Sequence, residues 1–285
     1  MKVYIGRRDF TDPLVLPDLE VDVERYSWNA MGGPKQANIN VTGDDYDLWG
    51  LAEKIRCPIK IYSDRGDAVW WGYIAEVQAT VRPALQLRDP SSNQRVSVGV
   101  SIDSMHNRTA LAYVQVDVTT GDETRQTTAW ADNVDSQAEY GTSELLWSAS
   151  AATGAHGTAA NNMRLAQDQY PVPAVTVAPG GSSSGAAIVA RGWFDTLKMQ
   201  YYSNVGTTSI DTASQCGTIA LQEGQFFSGV GLDVSSGIST RETRDGDATA
   251  YYEIMQLLDM GTDNYRRMLA EVSEFRRLRI YEEPT

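Results

Sequence analysis

The sequence predicts a mainly β, α+β fold of antiparallel sheets with short inserted helices, and three observations carry that expectation. Apolar residues alternate with period two through much of the first 120 residues, Asp and Gly turn residues punctuate the alternation, and helical periodicity comes only in brief runs. One-sided strands of this kind belong to antiparallel sheets packed on a single core. The composition agrees, since 42% hydrophobic residues in a 285-residue chain furnish a core without disulfide staples.

Taken in order, Ala37, Ile39 and Val41 face one way and Gln36, Asn38, Asn40 and Thr42 the other, which makes a strand. Leu48, Leu51, Ala52 and Ile55 then follow the helical spacing behind Asp44, which is placed to be the N-cap of a short helix. A strand at 58–62 leads through 63–67, where Gly66 supplies the positive φ of a hairpin turn. The long strand after it, 69–81, reads Val, Trp, Tyr, Ala, Val, Ala, Val at its odd positions, and Val96, Val98, Val100 and Ile102 repeat the pattern.

Beyond Gly121 the chain turns toward Ala, Ser, Thr and Gly, which divides it into a first module over 1–125 and a second over 126–285. In the second, 162–169 reads as a helix stopped by Pro171, and 179–185 as a Gly/Ser loop ordered only on assembly. Residues 186–202 read as two strands around Trp193, and 211–221 as a short helix. Asp247 is expected to cap a further helix in which Tyr251, Ile254, Met255 and Leu258 share a face and which Gly261 ends. Strands over 266–272 and 278–281 follow. A helix before two strands echoes the first module, so the topology suggests two related β modules, although no residue-level repeat aligns.

Subtracting 37 acidic from 24 basic residues leaves a formal charge of −13, which excludes a basic nucleic-acid binder. Cys57 and Cys216 are far apart and have no neighbouring thiol, which excludes thiolate zinc sites and disulfide frameworks. One bridge between them stays open beside the expectation of two buried free thiols. Arg7, Arg8 and Asp9 stand where a secretory signal needs an apolar run, and no stretch of about 18 apolar residues occurs. A cytosol-like compartment and no membrane-spanning segment are therefore expected.

Candidate chemistry is sparse. Gly181, Ser182, Ser183, Ser184 and Gly185 match a nucleophile-elbow pattern with Ser183 as nucleophile, but that motif needs a helix next and 186–190 reads as strand. His156 also precedes Ser183, the reverse of the order in hydrolases with this elbow. The acidic groups Asp44, Asp45, Asp47 and Asp245, Asp247 each sit by a helix start, where the helix dipole accounts for them. His106 follows a strand and reads as a loop or strand-edge histidine. Arg65, Gly66 and Asp67 spell the integrin-binding tripeptide, yet a tight hairpin needs such residues anyway. Asn40 and Asn107 lie in glycosylation sequons that carry meaning only on export. No phosphate-cradling glycine motif occurs. No catalytic, cofactor-binding or metal-ligating residue is assigned, and no cofactor is expected. Enrichment lies elsewhere, in seven Trp, fourteen Tyr and a basic set of 19 Arg to 5 Lys, the residues favoured at well-packed protein interfaces.

The run Trp28, Asn29, Ala30, Met31, Gly32, Gly33, Pro34, with the alternating strand to Thr42, resembles the opening of bacteriophage tail hub proteins, also called minor or baseplate tail proteins. Similar echoes are the aromatic strand Val69, Trp70, Trp71, Gly72, Tyr73, Ile74, the segment 101–108, the segment Arg191, Gly192, Trp193, Phe194, Asp195, Thr196, Leu197, and the ending 277–284. The resemblance implies small antiparallel β-barrel modules with inserted helices, and a structural virion component at the tail tip, assembled in the host cytoplasm, rather than an enzyme. It implies a homotrimeric ring whose paired barrels match a sixfold tail tube. It also implies contacts to a distal tail or tail tube protein and to the tape-measure protein. DNA would pass through the lumen without specific binding, which an acidic wall favours by repelling phosphates. Two other classes stand beside this reading: a carbohydrate- or receptor-binding β domain using Trp70, Trp71 and Tyr73 as a stacking platform, and a hydrolase using Ser183 or an acidic pair.

Overall fold

A computed structural model describes residues 1–11, 19–81, 94–116, 119–151, 153–179, 184–204, 206, 208–222, 226–241 and 244–284. With 45% strand and 25% helix, the fold is mainly β in the α+β sense, and its largest sheet is antiparallel and curls into a half-barrel.

The first stretch of chain supplies β1 (Lys2–Ile5), β2 (Glu20–Asn29), β3 (Gly33–Thr42), the short helix α1 (Asp45–Gly50), β4 (Pro58–Tyr62), β5 (Ala68–Val81) and β6 (Gln94–Ser101). A second stretch forms β7 (Arg108–Val116), β8 (Glu123–Thr127), β9 (Ala131–Asp132), α2 (Val134–Tyr140), β10 (Glu144–Ser148) and α3 (Gly154–Asp168). The chain then returns as β11 (Ala174–Pro179) and β12 (Gly185–Arg191). The last stretch contains β13 (Tyr201–Asn204), β14 (Ser209–Asp211), α4 (Thr212–Gln222), β15 (Gly229–Leu232), β16 (Ser239–Arg241), β17 (Arg244–Thr249), α5 (Ala250–Asp259), β18 (Met268–Val272) and β19 (Arg277–Glu282).

The half-barrel runs in the order β1-β4-β5-β12-β3-β2, and β6 continues along β5 beyond β4 and carries β11 on its far side. Strand β12 lies between β5 and β3, so strands from both sides of residue 125 share one sheet. Because β6 and β11 are antiparallel neighbours, everything between them is an insertion with its own sheet, β10-β7-β8 plus β9. The last strands form a third sheet, β15-β19-β18, joined to the β2–β3 turn where the Gly32 N–H donates to the Ala270 carbonyl at 2.6 Å.

The alternation in the sequence becomes burial directly. Ala37, Ile39 and Val41 of β3 are buried, as are Leu48, Leu51 and Ile55 around α1, where a single 3-10 turn (Leu51–Lys54) continues the helix. The hairpin at Gly66 forms as expected, with φ +91° at Gly66 and the Ser63 N–H donating to Asp67. In β5 the expected single apolar face is split. Its register against β12 slips between Ile74 and Glu76, leaving Ala75 as the extra residue of a bulge. Before the bulge the even residues Trp70, Gly72 and Ile74 are buried, and after it the odd residues Val77, Ala79 and Val81 are, while the residues beside them are more exposed from Glu76 on.

Three local expectations are corrected. Trp193 starts a 3-10 helix, Trp193–Met199, rather than sitting between two strands. Helix α3 begins already at Gly154, with the Thr153 side chain accepting from the His156 N–H as its cap. Asp247 lies within β17, and α5 is capped by Thr249, which accepts from the Tyr252 N–H. Asp44 precedes α1 but caps it through its carbonyl alone, which accepts from Leu48. Of the expected Gly/Ser loop, Pro179 closes β11 and Gly185 opens β12, while 180–183 lie outside the described residues. No helix among the described residues is long and apolar enough to cross a membrane.

Candidate functional site

The place where most elements converge is the exit of β12 from the half-barrel. Gly192 makes this exit possible, because a Cβ there would lie 1.7 Å from the Pro34 carbonyl oxygen, so only glycine allows β12 and β3 to pass so closely. Its N–H donates to the Lys35 carbonyl at 3.0 Å. The following 3-10 turn then sends Trp193, Phe194 and Leu197 into the core and leaves Asp195 and Lys198 on the wall of a cleft of about 610 Å³.

The cleft is lined by charge that pairs within itself. Arg191 holds the Asp103 carboxylate with both terminal nitrogens, at 2.5 and 2.6 Å, a planar fork suited to that geometry. Asp195 accepts from the Lys198 ammonium at 2.6 Å and from the Tyr73 hydroxyl at 3.3 Å. Across the cleft, Glu144 accepts from Arg108 at 2.6 Å and from the Tyr201 N–H at 2.6 Å. Burial pushes the Glu144 carboxyl above the usual carboxylate range, against the lowering by its two donors. Burial likewise holds His106 below the usual imidazole range, opposed by Asp168, and the His106 Nδ1 is without a partner. Each cleft carboxylate is thus already engaged by a cation or an N–H, an arrangement that fixes three chain segments against one another.

Below the cleft sits Arg56, 3% exposed, with its guanidinium 4.9 Å from the Tyr73 ring centre and 4.7 Å from that of Phe226. Its Nε and Nη1 have no hydrogen-bond partner, and burial lowers its pKa.

The residues singled out from sequence fall as follows. Ser183 and Ser182 lie outside the described residues, and His156 is exposed on the first turn of α3. Asp44, Asp45 and Asp47 gather at the start of α1, while Arg65, Gly66 and Asp67 form the exposed hairpin tip. Among the described residues, no group of three His, Cys, Asp or Glu is placed to hold a metal. Cys57 and Cys216 are both buried free thiols. Asn107 is fully buried, with its amide donating to Ser136 and to the Gly141 carbonyl and accepting from the Ser143 N–H.

The aromatic platform is overturned. Trp70 and Tyr73 are fully buried on opposite faces of β5, so no sugar ring can stack on them. Trp71 is spent differently: its indole N–H donates to the Val272 carbonyl at 2.8 Å, and its ring meets that of Trp28 edge-on at 4.9 Å. The charge network itself escaped the sequence reading. Arg191 and Asp103 are 88 positions apart, and no local pattern announces such a pair. Neither protein-family models nor curated proteins give a match to this sequence.

Proposed function

We propose that this protein is a structural, ring-forming component of a bacteriophage tail tip, a baseplate hub that surrounds the path of DNA and performs no bond chemistry. The observation that supports this reading is spatial. The short segments that resemble tail hub proteins are scattered through the sequence but converge on one junction. Trp28 meets the Trp71 ring edge-on and donates from its indole to the Val69 carbonyl at 3.0 Å. Gly32 abuts the Phe194 ring and bridges to Glu271. Arg191 clasps Asp103, and Tyr73 reaches Asp195. The ending segment, β19, pairs with β18, whose Val272 accepts from Trp71.

The half-barrel adds support at its edges. Among the described residues no strand covers the outer side of β2, which exposes Tyr26 and Trp28. Such an edge is a template for pairing with another chain, and a contact repeated head to tail gives a ring when its rotation closes. The partners implied are further copies of the chain, a distal tail or tail tube protein and the tape-measure protein, with a virion tail tip as the location.

Mass measurement tests this directly. A discrete ring, expected as a trimer, should appear by light scattering or native mass spectrometry at assembly concentrations or with tail proteins present. A chain that stays strictly monomeric and recovers no tail partner would overturn the reading.

A further inference from the structure

We propose that residues 107–170 form a hinged arm that docks on, and swings away from, the rest of the molecule about the paired stems 102–106 and 171–173. The inference stands apart from the hub reading: a monomer whose arm swings would keep it, and a ring whose arm is rigid would refute it.

Topology gives the arm its independence. It is inserted between two neighbouring strands, β6 and β11, so it enters and leaves at one place. The arm closes on its own entry point, with the His106 N–H donating to the Asp168 carbonyl at 2.8 Å and the Ser143 hydroxyl to the Met105 carbonyl at 2.9 Å, so its two ends stay together as it moves. Pro171 and Pro173 stiffen the returning stem.

The arm carries its own interior. Ala110, Leu111 and Tyr113 are buried but stand outside the main apolar core, to which the arm contributes only the partly buried Tyr140 among the described residues. Polar side chains complete the interior. The Asn161 amide donates to the Thr109 carbonyl at 2.8 Å and accepts from the Trp147 indole at 3.1 Å, and Asn107 ties β7 to α2 and β10. Such bonds hold the arm together wherever it lies.

The junction with the body is of another kind. It is made by Arg8, which is rooted on the carbonyls of Glu53 and Ile55 and reaches Glu139 at 2.5 Å with its guanidinium 4.5 Å over the Tyr140 ring. It is also made by Glu144 on the Tyr201 N–H, and by the ring of Trp130 6.2 Å from that of Tyr201. Open clefts of about 280 and 670 Å³ flank the Arg8 clasp, and the contacts named across the seam are polar bonds and ring contacts rather than buried apolar side chains. Seams of low apolar content open first.

Pulsed electron paramagnetic resonance can read the swing in the full chain. Spin labels would be placed on Met163→Cys in the arm and Tyr265→Cys in the body, both exposed, while the native Cys57 and Cys216 are buried. The expected distance distribution has a docked component and a second one, and Arg8→Ala raises the share of the second about ten-fold. A single narrow component, unchanged in Arg8→Ala and in Arg8→Ala with Glu144→Gln, would overturn the proposal. Should those variants fail to fold, hydrogen exchange on the unaltered chain decides. The Tyr201 amide should exchange faster than those of Ile39 and Leu111, and equal protection at all three would refute the swing.

Discussion

Arg56 poses the sharpest problem at the level of single residues, since a buried guanidinium with two unpartnered nitrogens is held by the faces of Tyr73 and Phe226 and by the contact of its third nitrogen to the Met199 sulfur at 2.6 Å. Replacing a buried charge with an apolar side chain of similar length is often neutral or stabilising. Arg56→Met should therefore leave stability unchanged or raise it by about 1 kcal/mol in urea unfolding, and a loss above about 2 kcal/mol would show that the charge is needed. Glu144 makes a prediction with a definite sign. Its folded pKa is raised above its ordinary value of 4.5, so the folded state favours the protonated form. Its contribution is full below the unfolded value and is lost as pH rises through the folded one. The wild type should thus gain stability relative to Glu144→Gln as pH falls from 7 toward 4.5, and a gap independent of pH would contradict this. Gly192→Ala meets a backbone carbonyl rather than a movable side chain, and should destabilise by about 3 kcal/mol or more.

Within single elements, α5 and β5 show how neighbours decide what periodicity leaves open. The cap of α5 is Thr249 rather than the expected Asp247 because β17 pairs with β13 as far as Thr249 and the helix starts only beyond it. Thr249→Ala should lose about 1 kcal/mol, while Asp247→Ala stays near zero, as thermal melts of both would show. In β5 the bulge at Ala75 changes which residues face inward, and the C-terminal sheet covers the other face where Trp71 lies. Trp70→Ala should accordingly act as a core deletion of about 3–5 kcal/mol, with no ligand involved. The helical spacing of Leu48, Leu51 and Ile55 and the turn at Gly66 were legible because each is satisfied by residues next to it in the chain.

For the molecule as a whole, the hub proposal places the curled sheet, its β2 edge, uncovered among the described residues, and the segments that resemble tail hub proteins on one assembly surface. An excess of 13 negative charges bears on any DNA that passes. Gel-shift measurements at low salt should show no DNA retained, and salt-sensitive retention would contradict an acidic, non-sticking lumen.

The amino-acid sequence by itself determined the mainly β, α+β character, the short helix after Asp44 and the hairpin at Gly66, while the structure decided between the free thiols the sequence favoured and the bridge it left open. Period, turn chemistry and burial preference act over a few residues, so they can be read locally. Only the tertiary structure decided that β12 sits between β5 and β3, that residues 107–170 form a separate arm, and that Arg191 meets Asp103 while Glu144 meets Tyr201. Those features depend on which strands pair and on charges brought together from distant positions. The free energy of such pairing is shared across the whole fold and leaves no pattern in any one stretch of chain.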